Sequence, residues 1–240
     1  MLPTGEGDRI RRASNARRVV ASGGLANGRL LRLHTAPCAV PPTATKGGCP
    51  LEPNYRLQSK IRGCTNCRLH ALREGIAVAA EVGSDYQLGG LAIMAEAPGQ
   101  QEDATGRPFV GKAGKLLDSM CAQAGAPRGL LVLLNRVRCR PPRNRLADYP
   151  DAVVACDKWT LAELEEYQPS VVILMGLTAA TPVFGKGLMR DLRGQVRTAT
   201  DGRTYLCTYH PAATFRGADP QLIFEDIKYA AELWQQRSST

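Results

Sequence analysis

No stretch of this 240-residue chain approaches the ~20 consecutive apolar residues of a membrane-spanning helix. Its longest apolar run, from Ser170 to Gly176, has only the length of a strand. A compact apolar signal-peptide core is also missing, so no membrane partner is expected. Histidine is rare. His34, His70 and His210 are the whole supply, and only His210, just ahead of a proline, has a context that suggests chemistry. Acidic residues are thin at the start, where nine Lys and Arg face three Asp and Glu in residues 1–56. Of the formal net charge of +9, that zone holds +6 and the rest of the chain +3. Bulk charge therefore does not by itself establish nucleic-acid binding by the folded part.

Two zones are present. Residues 1–56 carry Arg11-Arg12, Arg17-Arg18, Gly23-Gly24, Pro41-Pro42 and Gly47-Gly48 with little periodicity. They read as a disordered basic extension. Their Arg- and Ala-rich, acid-poor composition also resembles an organelle transit peptide. The plainer expectation is a flexible extension, or a start codon set too far upstream. A hydrophobic fraction of 44% supports a core in the remainder.

Along residues 57–240 the pattern alternates. Residues 57–72 have helical spacing broken by a Cys64-Thr65-Asn66-Cys67 turn, and Ala77, Val78 and Val82 suggest a short strand or edge. Residues 91–95, 130–134, 171–175 and 204–208 read as strands. Helices are expected over 115–124, ended by Gly125 and Pro127, then over 151–167, 177–184 and 220–236. In the second of these Val153, Val154, Trp159, Leu161 and Leu164 are expected to face inward. Residues 140–145 hold two prolines and should be irregular. Apolar strands alternating with helices predict an α/β fold: a central, mainly parallel four-stranded sheet covered on both faces. Ligands in such sheets bind at the carboxyl ends of the strands, and here the loops beginning at Glu96, Asn135 and His210 should meet on one rim.

The loop from Glu96 to Gly114 is the most informative segment. A plain strand-to-helix connection needs ~2 to 6 residues. This one is far longer and holds four glycines, two prolines, the adjacent carboxylates Glu102 and Asp103, and an isolated Phe109. Loops of that kind usually build sites.

The chain has eight cysteines. Cys64 and Cys67 form a C-x-x-C, Cys139 follows a strand, and Cys156 lies early in a helix. Four such thiolates could meet around zinc or an iron–sulfur cluster. A thioredoxin-type redox pair is a third option for Cys64 and Cys67, though no strand precedes them. Cys121 and Cys207 read as small buried hydrophobes. Cys38 and Cys49 lie in the extension and receive no role.

Four blocks, in order, resemble the family 4 uracil-DNA glycosylases, which carry a 4Fe–4S cluster. They are Cys64-x-x-Cys67, the block Glu96-Ala97-Pro98-Gly99-x-x-Glu102-Asp103-x-x-Gly106-x-Pro108-Phe109-Val110-Gly111-x-Ala113-Gly114, then Asn135-x-x-x-Cys139-Arg140-Pro141-Pro142-x-Asn144-Arg145, and His210-Pro211 with Arg216. The resemblance covers roughly residues 57–236. It implies a three-layer α/β/α domain over 57–240 and a cluster held by Cys64, Cys67, Cys139 and Cys156, structural rather than reactive. It also implies a monomeric, monofunctional enzyme of base-excision repair that releases uracil from single- or double-stranded DNA.

The reaction breaks the bond between uracil N1 and deoxyribose, and the base must be flipped into a pocket to reach it. Phe109, which on composition alone would be core, becomes a stacking platform. Asn135 offers donor and acceptor to the uracil edge. His210 can donate to uracil O2 as charge develops there. Ala97 stands where a sister family has its water-handling aspartate. Glu102 is then preferred for the water, with Glu96 as the other candidate and more suited to bracing the loop beside the base. Phe215 is the candidate wedge into DNA, and Arg216, Arg143 and Arg145 are phosphate candidates. The chain departs from the family at Ala212, where serine is usual, and at Thr214-Phe215, where a leucine pair is usual, which affects strand insertion more than chemistry. Ala95 replaces a usual glycine. No lysine stands in the matched motifs as a Schiff-base nucleophile. The short 140–151 loop holds no histidine, so a DNA-trapping variant of the superfamily is not expected. The competing function is a non-enzymatic iron–sulfur module of the same fold that binds nucleic acid, and a zinc Cys₄ protein is a third.

Overall fold

The computed structural model describes residues 53–238. Residues 1–52, with Cys38, Cys49 and almost all of the basic extension, lie outside the described residues, as do 239 and 240.

The four apolar runs become four parallel strands. These are β2 (Leu91–Ala95), β3 (Leu131–Asn135), β4 (Val171–Met175) and β6 (Thr204–Thr208), and every residue of each is buried. Burial on both faces is what a continuous rather than alternating apolar pattern specifies. The sheet has six strands, not the expected four. β1 (Glu81–Val82) and β5 (Val196–Thr198) close the two edges, each antiparallel to its neighbour, in the order β1-β3-β2-β4-β6-β5. The register runs from Leu91 opposite Leu131 to Ala95 opposite Asn135, and Ile93 faces Ile173.

Eight helices accompany the sheet among the described residues: α1 (Tyr55–Arg62), α2 (Leu69–Leu72), α3 (Gln100–Thr105), α4 (Lys112–Gln123), α5 (Pro150–Tyr167), α6 (Leu177–Phe184), α7 (Met189–Leu192) and α8 (Pro220–Ser238). The period-2 geometry of the strands separates two cores. Leu91, Ile93, Leu133 and Ile173 pack against Leu117, Met120 and Cys121 of α4 and Ile223 and Ile227 of α8. On the other face Met94, Leu134, Val172 and Cys207 pack against Leu164 and Tyr167 of α5 and Ala179, Ala180 and Phe184 of α6. The result is three layers, α/β/α. Cys121 and Cys207 are fully buried core residues.

α5 rotates differently from the expectation. Leu164 is buried, but Val154 is 73% exposed, and the inner face is Ala152, Cys156, Thr160, Glu163, Leu164 and Tyr167. The reason is electrostatic. Arg138 sits inside the protein and draws Glu163 inward to a 2.6 Å ion pair, both side chains 1% exposed. Arg136 likewise pairs with Asp157. These contacts turn the helix so that a polar stripe is buried.

The chain leaves β2 for β3 on one side and returns to β4 on the other. That reversal makes the carboxyl end of β2 a topological switch point, the usual place for a ligand crevice. All four parallel strands end on that rim.

Candidate active site

A cavity of about 700 Å³ opens on this rim, within the usual size range of ligand sites. Glu96 enters it directly after β2, Asn135 as the last residue of β3, Gly176 directly after β4, and His210 two residues after β6. The sequence pointed to three of these loops and missed the fourth. Its signal was Gly176 at the end of an apolar strand, which adopts φ 91. Leu177, in the first turn of α6, lines the cavity, and Thr178 beside it donates to Glu96 Oε2 at 2.6 Å.

The long motif loop folds by hydrogen bonding to one carboxylate. It contains a short helix, α3, which sequence periodicity could not reveal in six residues. Glu102 in α3 reaches back, so that its Oε2 accepts the Gly99 N–H at 3.1 Å. Its Oε1 accepts from Val110 N at 2.9 Å and from Gly111 N at 2.7 Å. A carboxylate has about four acceptor positions. Glu102 has filled three, so one position on Oε2 is left at the cavity wall. Asp103 is buried, and its Oδ1 has no partner among the described residues.

Beyond α3 the chain turns through Phe109, whose φ of 54 is rare for a bulky residue. The ring is 6% exposed and lies nearly parallel to the His210 ring, with centroids 6.4 Å apart and 17° between the planes. The chain then enters α4, and 111–114 at its N-terminus form one cavity wall. Helix α4 thus begins at Lys112, three residues before the expected start.

Asn135 is 4% exposed and lines the cavity. The Nδ1 atom of His210 accepts the Ala212 backbone N–H at 3.1 Å. That bond requires Nδ1 to be unprotonated and leaves the ring hydrogen on Nε2. Burial pushes the His210 pKa down to about 4, the charge of Arg216 pushes the same way, and Glu102 opposes them. At neutral pH the ring is therefore an uncharged donor. His70 is exposed on α2, where its Nδ1 meets the Cys67 carbonyl at 2.7 Å. His34 is outside the described residues.

Ala97, Phe109, Asn135, Glu96, Glu102, His210 and Arg216 all line this one cavity. Tyr209, Met175, Met189 and Lys112 also line it and were not singled out in the sequence. Phe215 stands beside it, 59% exposed, on the helical turn Pro211–Arg216. Arg143 and Arg145 are exposed on the proline loop, of which Pro141 and Asn144 reach the cavity. Pro142–Asn144 forms a single 3₁₀ turn, with Arg143 in the left-handed region at φ 55. Arg145 pairs with Asp148 at 3.2 Å and borders an adjacent hollow that shares Glu96 and Asn144 with the main cavity.

The four cysteines collect at a corner beside the loop. Cys139 and Cys156 are buried and Cys64 and Cys67 half-buried, all as free thiols. Cys139, Cys156 and Cys67 share a cluster with Leu69, Val137 and Ala97, the last of which also lines the cavity. Burial pushes the Cys139 thiol up to about 11, reinforced by Cys156 and Cys67. The thiol of Cys156 also moves up by burial, reinforced by Cys67 and Cys64. Donors face the sulfurs: Trp159 Nε1–H lies 3.1 Å from Cys64 Sγ, and the Arg73 guanidinium 3.4 Å from Cys139 Sγ. The buried Arg138 cation also acts on Cys156, and its Nε and Nη1 have no hydrogen-bond partner among the described residues. Unpartnered buried donors are costly, about 1–3 kcal/mol each. Among the described residues, no three His, Cys, Asp or Glu side chains form a group already arranged to hold a metal ion.

The family described as Uracil DNA glycosylase superfamily matches residues 86–236. The chain is 34% identical over 179 residues to the Type-4 uracil-DNA glycosylase of Thermotoga maritima, covering 72% of this chain and 91% of the relative. It is 35% identical over 174 residues to the protein of that name from Pyrobaculum aerophilum, covering 67% and 84%. To the one from Archaeoglobus fulgidus it is 32% identical over 195 residues, covering 75% and 93%. With the rim cavity, the three-layer fold and these matches in agreement, the chain belongs to the uracil-DNA glycosylase superfamily.

Proposed function

We propose that this protein is a DNA-repair hydrolase that breaks the N-glycosidic bond of uracil in DNA and releases the free base without cutting the strand. The observation that carries the reading is the neutral His210, its ring hydrogen fixed on Nε2, in the same cavity as Phe109 and Asn135.

The target nucleotide leaves the base stack and enters the cavity. The Phe109 ring receives a face of the base. The Asn135 carboxamide pairs with N3–H and O4, which selects uracil over cytosine because cytosine presents the opposite donor pattern at the 4-position. Ala97 and the bracing carboxylate of Glu96 complete the floor. As the glycosidic bond lengthens, negative charge gathers on the base and positive charge on the sugar. His210 Nε2–H donates to O2 and stabilises the leaving anion. A neutral donor suits this task, because it polarises the oxygen without passing its proton to a weakly basic leaving group. Water, oriented by the remaining acceptor position of Glu102, with Glu96 as the other candidate, attacks C1′ as the bond to N1 breaks, and its proton passes to that carboxylate while uracil leaves as the anion. Either carboxylate also stabilises the cationic sugar.

Arg216 at the mouth and Lys112 at the uncapped N-terminus of α4 offer positive potential to backbone phosphates. Arg143 and Arg145 extend that surface, and Phe215 is the apolar wedge that fills the gap left in the stack. The loss of a hydroxyl at Ala212 shifts phosphate holding onto these cations. The working assembly is a monomer on DNA in the cytoplasm. No helix among the described residues is long and apolar enough to cross a membrane.

Cys64, Cys67, Cys139 and Cys156 are the proposed ligands of a 4Fe–4S cluster. The corner fits such a group: four sulfurs from three segments, N–H donors aimed at two of them, and a buried, incompletely partnered Arg138 that an anionic cluster would compensate. When bound, the cluster supplies a covalent tie between α5, the proline loop and the C-x-x-C turn.

Single-turnover assay of the full chain on a uracil-containing oligonucleotide tests the reading. Release of uracil with an intact abasic strand is expected; no release by cluster-loaded protein would overturn it.

A further inference from the structure

Phe109 poses a physical problem. A bulky residue at φ 54 is strained and persists only where the surroundings over-determine it. The two residues that follow it are fixed by Glu102, which accepts the N–H groups of Val110 and Gly111. The carbonyls of Pro108 and Phe109 are fixed from elsewhere. Arg128, in the turn before β3, donates through Nη2 to the Pro108 carbonyl at 2.7 Å and through Nη1 to the Phe109 carbonyl at 3.2 Å.

Arg128 is itself held from both sides. Its Nε donates to Glu81 Oε1 on β1 at 2.7 Å, and Nη1 donates to Asp118 Oδ1 on α4 at 3.0 Å. Arg107 grips the same Glu81 at 2.9 Å, one residue before the turn. Glycine at 114 admits the arrangement, since a Cβ there would run into the Phe109 carbonyl. One planar guanidinium thus joins the edge strand, helix α4 and the two carbonyls that define the turn. A lysine presents a single point of donation and could not span them.

We propose that Arg128 is a positioning residue for base excision: its clamp on the Pro108 and Phe109 carbonyls holds the aromatic ring at the angle that receives the extruded base. The inference rests on the reading of Phe109 as the base platform. It adds the device that sets the platform, outside the cavity lining and 19 residues away in sequence. Arg128 touches no reacting atom. Its effect on the reaction passes entirely through the Phe109 ring.

That last point gives a test a purely structural arginine would fail. Single-turnover excision is measured on full-length wild type, Arg128→Gln, Phe109→Ala and the double variant, with competitive inhibition by free uracil in parallel. Arg128→Gln is expected to lower kcat/KM about tenfold or more and to weaken uracil inhibition to a similar degree, with little further effect, within about twofold, in the Phe109→Ala background. Equal fold losses in both backgrounds, or a lowered melting temperature with unchanged uracil inhibition, would overturn the proposal. If Arg128→Gln does not fold, Arg128→Lys keeps the charge and gives the same cycle with a smaller coupling. If wild type releases no uracil, the functional reading fails and takes the proposal with it. If wild type is active and the cycle shows no coupling, the positioning role fails alone.

Discussion

The base pocket and the cysteine corner share a wall at Ala97, yet they are built on opposite terms. In the pocket the chain satisfies itself. Glu102 takes three backbone N–H groups, Arg128 takes two carbonyls, and Ala212 fixes the His210 tautomer. At the corner, Arg138 has two buried donors without partners among the described residues, and burial pushes the Cys139 and Cys156 thiols up. The pocket is preorganised by protein alone. The corner leaves charge that the proposed cluster would compensate. Precise placement of reacting groups requires the first arrangement, and the second suits a tie that assembles late and locks segments together.

The largest expected effects fall on the pocket. His210→Ser or Asn135→Ala should lower single-turnover uracil release by about 10²-fold or more, as removal of an anion-stabilising donor does elsewhere, while leaving the melting temperature near wild type. A large stability loss in these variants would mean that the pocket is not self-sufficient. Next in size is the corner. Anaerobically purified wild type should be brown, absorbing near ~400 nm as thiolate-ligated iron–sulfur does. Cys156→Ala should lose that colour and melt at lower temperature. Colourless wild type holding one zinc would replace the cluster with a Cys₄ site.

A middle-sized effect separates the two carboxylates. Glu102→Gln loses a charge that three N–H groups need, so it should lower both stability and turnover. Glu96→Gln should keep its bond to Thr178 and lower turnover less. The reverse ranking in turnover, at equal stability, would make Glu96 the water-handling group.

A smaller effect is a pH shift. His210 is held neutral down to a pKa of about 4. The sign follows from the lowered value: the neutral donor is fully present at neutral pH and is lost as pH falls through the folded pKa. The kcat/KM profile should therefore be flat through neutrality with an acidic limb. Arg216→Gln removes a charge that lowers this pKa and should move the limb to higher pH. Movement the other way would contradict the electrostatic account. Smallest of all, Phe215→Ala should cost a few-fold on duplex DNA and little on single strands, where no stack need be closed.

How much of this was legible in the chain depends on distance along it. The four parallel strands and α6 follow from local apolar runs, and one segment pattern carried the whole lip from Glu96 to Gly114. Val82 suggested the edge that became β1, but β5 did not show, because it is three residues long and carries no period. Val154 was misplaced because helical patterning counts apolar residues, whereas α5 is oriented by buried ion pairs to Arg136 and Arg138. Arg128 carried no signal in the sequence. Its partners are spread from Glu81 to Asp118 and meet only after the sheet has formed.

The central claim is that the rim cavity grips an extruded uracil and cleaves it from the sugar. Single-turnover release of uracil from a labelled oligonucleotide, wild type against His210→Ser, tests it most directly. The account predicts free uracil and an intact abasic strand from wild type, with about 10²-fold slower release from the variant. Equal rates from the two proteins, or no release from either, would contradict it.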